Sequence, residues 1–134
     1  MSEIAVYTLL KNAAAVSTLV GARIYPLAAP QNPTYPLITY QRISGPRWTT
    51  MDGPTGMAQP RIQVDAFATT YAGAKALATA IRTTLDGHRG TVTVTGGTVR
   101  VGGIRLETDQ DLYEADVNPK LYRVQMDFMV THDE

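Results

Sequence analysis

The chain has two histidines, His88 and His132, and their settings decide whether acid–base or metal chemistry is at hand. His88 sits in a turn after a helix-like segment, and His132 lies in the C-terminal tail. Neither has a carboxylate or second histidine at ligand spacing, so both read as surface residues. Ser2, Ser17 and Ser44 stand outside any Gly-x-Ser-x-Gly context, which removes a hydrolase reading. Gly96-Gly97 and Gly102-Gly103 are followed by neither Lys-Ser/Thr nor a helix start, so hairpin geometry explains them better than phosphate binding. The acidic run Asp109, Asp111, Glu114 and Asp116 lacks the glycine and terminal glutamate of a calcium loop and reads as a solvated loop. There is no cysteine, which excludes disulfides, thiolate catalysis and cysteine-ligated metal. No catalytic set, cofactor site or metal site emerges.

The remaining informative side chains suit association. Trp48, the only tryptophan, lies beside Arg47 and near Met51 and Met57; Trp, Arg and Met are enriched at interface cores. These residues form either a satellite core or a contact surface. Arg61 with Asp65, and Arg123 with Asp127, sit two strand steps apart on common faces. They read as exposed ladder pairs of small worth, or as pairs that cross a subunit boundary. The candidate interface is therefore Arg47, Trp48, Met51, Met57, Arg61 and Asp65.

These residues must be positioned by a small set of elements. Arg61 to Ala66 alternates apolar Ile62, Val64 and Ala66 with polar residues, the period of a half-buried strand. Thr69 and Thr70 then offer an N-cap, and Tyr71, Ala74, Leu77, Ala78, Ile81 and Leu85 form one stripe of a helix that Gly87 closes. Upstream, Ser2 and Asn12 are candidate caps for two short helices, or one bent helix, ending at Gly21. Arg23 to Tyr25 is a short strand closed by Pro26, residues 27–35 are loop, and Leu37 to Ile43 is a strand. Gly45 to Pro60, rich in Gly and Pro, reads as a long loop or a splayed hairpin end. Downstream, a hairpin turns at Gly96-Gly97, and Gly102-Gly103 bulges or breaks its second arm. Thr108 to Pro119 is acidic and turn-rich. Tyr122, Val124, Met126, Phe128 and Val130 form one face of a closing strand. The pattern predicts a single α+β domain over residues 1–134: a mainly antiparallel sheet, one long helix on its apolar face and a short N-terminal helical segment.

At 134 residues, 44% apolar and 18% charged, the chain suits one globular domain that buries roughly two thirds of its unfolded surface. Lys+Arg and Asp+Glu both number 12, so no net field draws it to nucleic acid or an anionic membrane. The first residues lack a secretory pattern, and no apolar run approaches the roughly 20 residues that cross a bilayer. A soluble protein made in the cytoplasm is expected.

Taken in order, five stretches resemble the tail-completion, or tail-terminator, family of long-tailed bacteriophages, the proteins of tail-to-head joining. They are LVGARIYP (Leu19–Pro26), PLITYQRIS (Pro36–Ser44), RIQVDAFATTYAGAKALATAIRTTL (Arg61–Leu85), TDQDLYEAD (Thr108–Asp116) and LYRVQMDFMV (Leu121–Val130). The resemblance spans nearly the whole chain and rests on order and spacing, since no stretch is a catalytic fingerprint. It implies a phage or prophage structural protein without catalytic residues. Such a protein assembles as a ring, commonly a homo-hexamer, that caps the tail-tube protein and docks to the head–tail connector. It implies assembly in the host cytoplasm and residence in the virion at the head–tail junction. Alternatives are another connector ring, such as a stopper or adaptor, and a small ligand-binding or enzymatic α+β domain. That last reading requires a convergent polar cluster in a cavity under the helix.

Overall fold

The computed structural model describes residues 2–27, 34–44, 47–50, 53–58, 60–94, 97–114 and 121–133. Its helices are α1 (Ser2–Asn12), α2 (Ala14–Val20) and α3 (Tyr71–Leu85). Its strands are β1 (Ile24–Pro26), β2 (Leu37–Ser44), β3 (Arg47–Thr50), β4 (Gly53–Ala58), β5 (Arg61–Ala68), β6 (Gly90–Val94), β7 (Gly97–Glu114) and β8 (Leu121–Asp133). The α+β class matches the sequence pattern, with the helical layer divided into three segments.

β8 is the spine of the sheet. β5 pairs along one of its flanks and β7 along the other, both antiparallel. β2 then pairs with β5, and β1 adds to β2 in parallel. β4 follows β5 on the same flank of β8, with Ala58 opposite His132 and Arg61 opposite Met129. β3 pairs with β4 as β2 pairs with β5. From side to side the order is therefore β1 and β3, outside β2 and β5/β4, then β8, β7 and β6.

Of the two expectations for Gly45–Pro60, the hairpin is the one realised, with β3 and β4 paired antiparallel. Pro54 is tolerated because at its level β4 has only β3 as a neighbour, so one flank needs no donor. Because among the described residues β4 meets β8 only at Met57 and Ala58, the rest of the described β3–β4 arm lies beyond its pairing with the spine.

One face of the sheet holds the core. Ile62, Val64 and Ala66 of β5 and Val124, Met126, Phe128 and Val130 of β8 are buried there. Over them lies α3 through Ala74, Leu77, Ala78, Ile81 and Leu85, joined by Val6 and Leu10 of α1 and Val16 and Val20 of α2. Thr70 caps α3, its hydroxyl accepting from Gly73 N at 3.1 Å. A side chain at Gly73 would put a Cβ 2.8 Å from that hydroxyl, so the glycine keeps the cap open. Gly87, at φ +84°, turns the chain out of the helix as expected.

Other expectations need correction. Tyr71 is off the buried stripe and 53% exposed, because the stripe begins at Ala74. Asn12 ends α1, and Ala13 takes the cap position of α2 without a side-chain bond. At Gly102-Gly103, where a bulge or a break was expected, the bulge is realised and β7 runs on. The acidic segment is strand as far as Glu114, because the strong alternation of β8 offers it a ladder. His132 is 5% exposed, flanked by Val101 and Ala58 on the neighbouring strands, and is no surface residue.

Candidate functional site

The face of the sheet opposite the helices carries a repeated motif. Arg61-Ile62-Gln63-Val64-Asp65 in β5 and Arg123-Val124-Gln125-Met126-Asp127 in β8 share the pattern Arg-x-Gln-x-Asp. Their antiparallel register sets Val64 opposite Met126, Gln63 opposite Asp127 and Asp65 opposite Gln125. The two motifs are therefore related by a local two-fold axis.

The charges pair across the strands, not along them. Arg61 Nη1 lies 3.2 Å from Asp127 Oδ2, and Arg123 Nη2 lies 2.9 Å from Asp65 Oδ2. Geometry dictates this exchange. Residues four apart on one strand are separated by about 13 Å, whereas diagonal cross-strand partners lie about 7–8 Å apart. Asp65 is 5% exposed and also receives Gln63 Nε2 at 3.0 and 3.3 Å. Its carboxylate is an internal structural group, contrary to the exposed-ladder expectation. The Arg123 guanidinium also stands 5.4 Å over the Phe67 ring.

Beside this inner pair lies a cleft of about 320 Å³ whose walls include Leu27, Leu37, Phe67 and Leu121 with Thr39, Asp65 and Arg123. Among the described residues no histidine, serine or lysine lines it, and its carboxylate is held by the ion pair. Under α3 a smaller cavity of about 230 Å³ has Lys75, Thr79, Arg82 and Asp109 among its walls, over Val124 and Met126. Among the described residues no group of three or more His, Asp or Glu side chains is placed to hold a metal. No helix among them is long and apolar enough to cross a membrane.

A second constellation, not foreseen in the sequence, joins the start of α3 to the end of β7. Tyr122 stacks against Tyr71 edge-on at 5.9 Å and against Tyr113 at 4.8 Å. Tyr71 Oη donates to Asp111 at 3.3 Å, and Lys75 Nζ sits 3.1 Å from the same carboxylate. The Asp111 hydrogen bond raises the pKa of the Lys75 ammonium above its ordinary value. Tyr71 and Tyr113 remain half exposed, an aromatic patch of the kind found at contact surfaces. No periodicity signals it, because it is made by residues from three separate elements.

Of the candidate interface residues, Arg47 and Trp48 fall on β3 and Met57 on β4, so the arm brings three of them onto one hairpin. Met51 lies outside the described residues. Arg61 stands at the base of the arm, in the ion pair with Asp127.

The family model described as "Tail completion protein gp17" matches residues 4–133. This chain belongs to that family. The family is one of structural tail proteins, so membership implies a structural role in a phage tail. Among solved structures, a chain described as "Virion of native gene transfer agent (GTA) particle" is similar at a TM-score of 0.72 and 20% identity. The similarity covers 96% of this chain and 92% of that one, and at such identity it shows the shared fold. No curated protein sequence matches.

Proposed function

We propose that this tail completion protein ends the tail: a closed homo-hexameric ring of it caps the tail tube and joins the tube to the head connector. One ring face complements the last ring of tube protein, and the other does not accept a further tube subunit, so polymerisation stops. Assembly takes place in the host cytoplasm, and the ring stays in the virion at the head–tail junction. Neither a specific nucleic acid nor a membrane is among its partners, in keeping with the balanced charge.

The observation that carries this reading is the family match over residues 4–133. The projecting β3–β4 arm supports it, since a hairpin beyond the body of the sheet can reach a neighbouring subunit or the tube. The test replaces Trp48–Met57 with a short Gly/Ser linker. The expected result is an unchanged melting transition with loss of the ring by light scattering and negative-stain imaging, and altered tail length or infectivity. Unchanged assembly and infectivity would refute the role of the arm, and a wild-type protein that forms no ring would refute the terminator reading itself.

A further inference from the structure

The outer edge of β7 is paired for only part of its length. β6 covers Gly97 to Val101, and the turn after α3 covers the next stretch. There Gly87 N donates to Ile104 O at 2.8 Å, Ile104 N donates to His88 O at 3.0 Å, and Leu106 N donates to Asp86 Oδ1. From Glu107 to Glu114 no strand lies on that side among the described residues.

Antiparallel alternation says which groups are left open. Val130 N donates to Pro60 O on the β5 flank, and Ile104, opposite Val130, turns its own groups away from β8. Following that alternation along β8 through Phe128, Met126, Val124 and Tyr122, their partners past the bulge are Asp109, Asp111 and Tyr113. The backbone N–H and C=O of these three residues point outward. The edge ends at the half-exposed Tyr71–Tyr113 patch. Its described acids are Glu107, Asp109 and Asp111; Arg105 pairs with Glu107 and Lys75 of α3 with Asp111, so the charge of this edge is partly compensated.

The opposite side of the sheet ends in β1 and β3. β1 has three residues and closes in Pro26, which lacks a donor and makes a poor edge for pairing. Among the described residues no strand pairs with β3 on its outer side, and residues 42–50 carry Arg42 and Arg47 with no acid in their sequence.

We propose that in the ring the β3 edge of one copy adds as a strand to the Glu107–Glu114 edge of β7 in the next copy. The two edges lie on opposite sides of one sheet, so the contact is head-to-tail and can close into a ring. Main-chain bonds supply the pairing, the acid–base match that remains beside the Arg105 and Lys75 ion pairs biases which edges meet, and the tyrosine patch gives the joint an aromatic end. This proposal rests on the ring reading above.

The absence of native cysteine makes a cross-linking test clean. Arg47→Cys or Thr49→Cys is combined with Thr108→Cys, Gln110→Cys or Leu112→Cys, and the assembled protein is treated with a short bis-maleimide. A covalent ladder up to the ring number should appear under denaturing conditions in double variants and not in single ones. Independently, Asp109→Pro removes an outward N–H and should raise the concentration needed for assembly at least tenfold. Gln110→Pro removes an N–H directed at β8 and should unfold the sheet. Rings that yield no ladder in any combination, or that are indifferent to Asp109→Pro, overturn the strand addition and leave the ring reading standing. If wild-type protein forms no ring, the ring reading fails first.

Discussion

Replacing Arg123 by Met should destabilise this protein far more than the matching change at Arg61. In the inner pair the Asp65 side chain is 8% exposed and that of Arg123 24%; in the outer pair Asp127 is 19% and Arg61 34% exposed. Removing Arg123 leaves a buried carboxylate with the Gln63 amide as its remaining side-chain donor among the described residues. Stranding a buried charge costs roughly 3–5 kcal/mol, and partial solvent access to the arginine side argues for the lower end, about 3 kcal/mol. The reverse change, Asp65→Asn, keeps the size and the contact with Gln63 and leaves an arginine that can turn toward water, so about 1–2 kcal/mol is expected. Arg61→Met should cost less than about 1 kcal/mol. The assay is urea denaturation followed by circular dichroism, at low protein concentration so that any self-association adds nothing. In a thermal scan, 3 kcal/mol corresponds to a fall of about 10 °C for a domain of this size. If Arg61→Met proves as costly as Arg123→Met, burial does not set the worth of these pairs and the argument is wrong.

Leu77→Ala, at a fully buried position on α3, should cost about 2–5 kcal/mol, and a loss below about 1 kcal/mol would place Leu77 outside the core. Thr70→Ala should remove about 1 kcal/mol by leaving Gly73 N uncapped, measured by the same denaturation, whereas an exposed threonine such as Thr79 gives little. Burial, with the nearby Tyr7 and Glu3, pushes the Tyr40 hydroxyl above its ordinary 10.0. Neutral Tyr40 is thus favoured in the fold: its contribution is intact below pH 10.0 and is lost as pH rises from there through the folded value. Tyr40→Phe should flatten that part of the alkaline stability profile, and an unchanged profile would assign it to other groups.

The parts of this fold that could be read from sequence are those whose partners are near in the chain. The β5–α3 unit carries its strand period, its Thr70 cap and its Gly87 exit within one stretch, and all three are realised. The closing strand is equally plain, because Val124, Met126 and Phe128 alternate without interruption. What failed was structure imposed from a distance. Residues 108–114 have no apolar alternation of their own and become strand because β8 supplies a ladder. For residues 45–60, Pro54 and the glycines left a long loop and a hairpin both open, and the hairpin stands because single-sided pairing tolerates them. The Arg-x-Gln-x-Asp repeat was visible as two charged strands, but only the register reveals that each arginine serves the other strand's aspartate. The tyrosine patch joins α3, β7 and β8 and leaves no local trace.

Balanced net charge also conceals how the edges of the sheet differ. An open strand edge invites indiscriminate pairing, and proteins blunt such edges with charge. Along β7 the acids at 107, 109 and 111 would approach one another if two copies met edge to edge, a like-charge contact that the Arg105–Glu107 and Lys75–Asp111 pairs relieve in part. Two-fold pairing through β7 is therefore opposed, as is two-fold pairing through β3, where Arg47 would approach Arg47. The mixed contact carries no such repulsion, and it differs from both self-contacts in being head-to-tail. Raising the salt concentration should then have two effects at once. It weakens the attraction of the mixed joint and relaxes the repulsion that forbids the symmetric ones, so rings should give way to dimers and irregular aggregates. Light scattering across a salt series distinguishes this from a joint held by apolar contact alone, whose ring mass would hold steady or grow as salt rises.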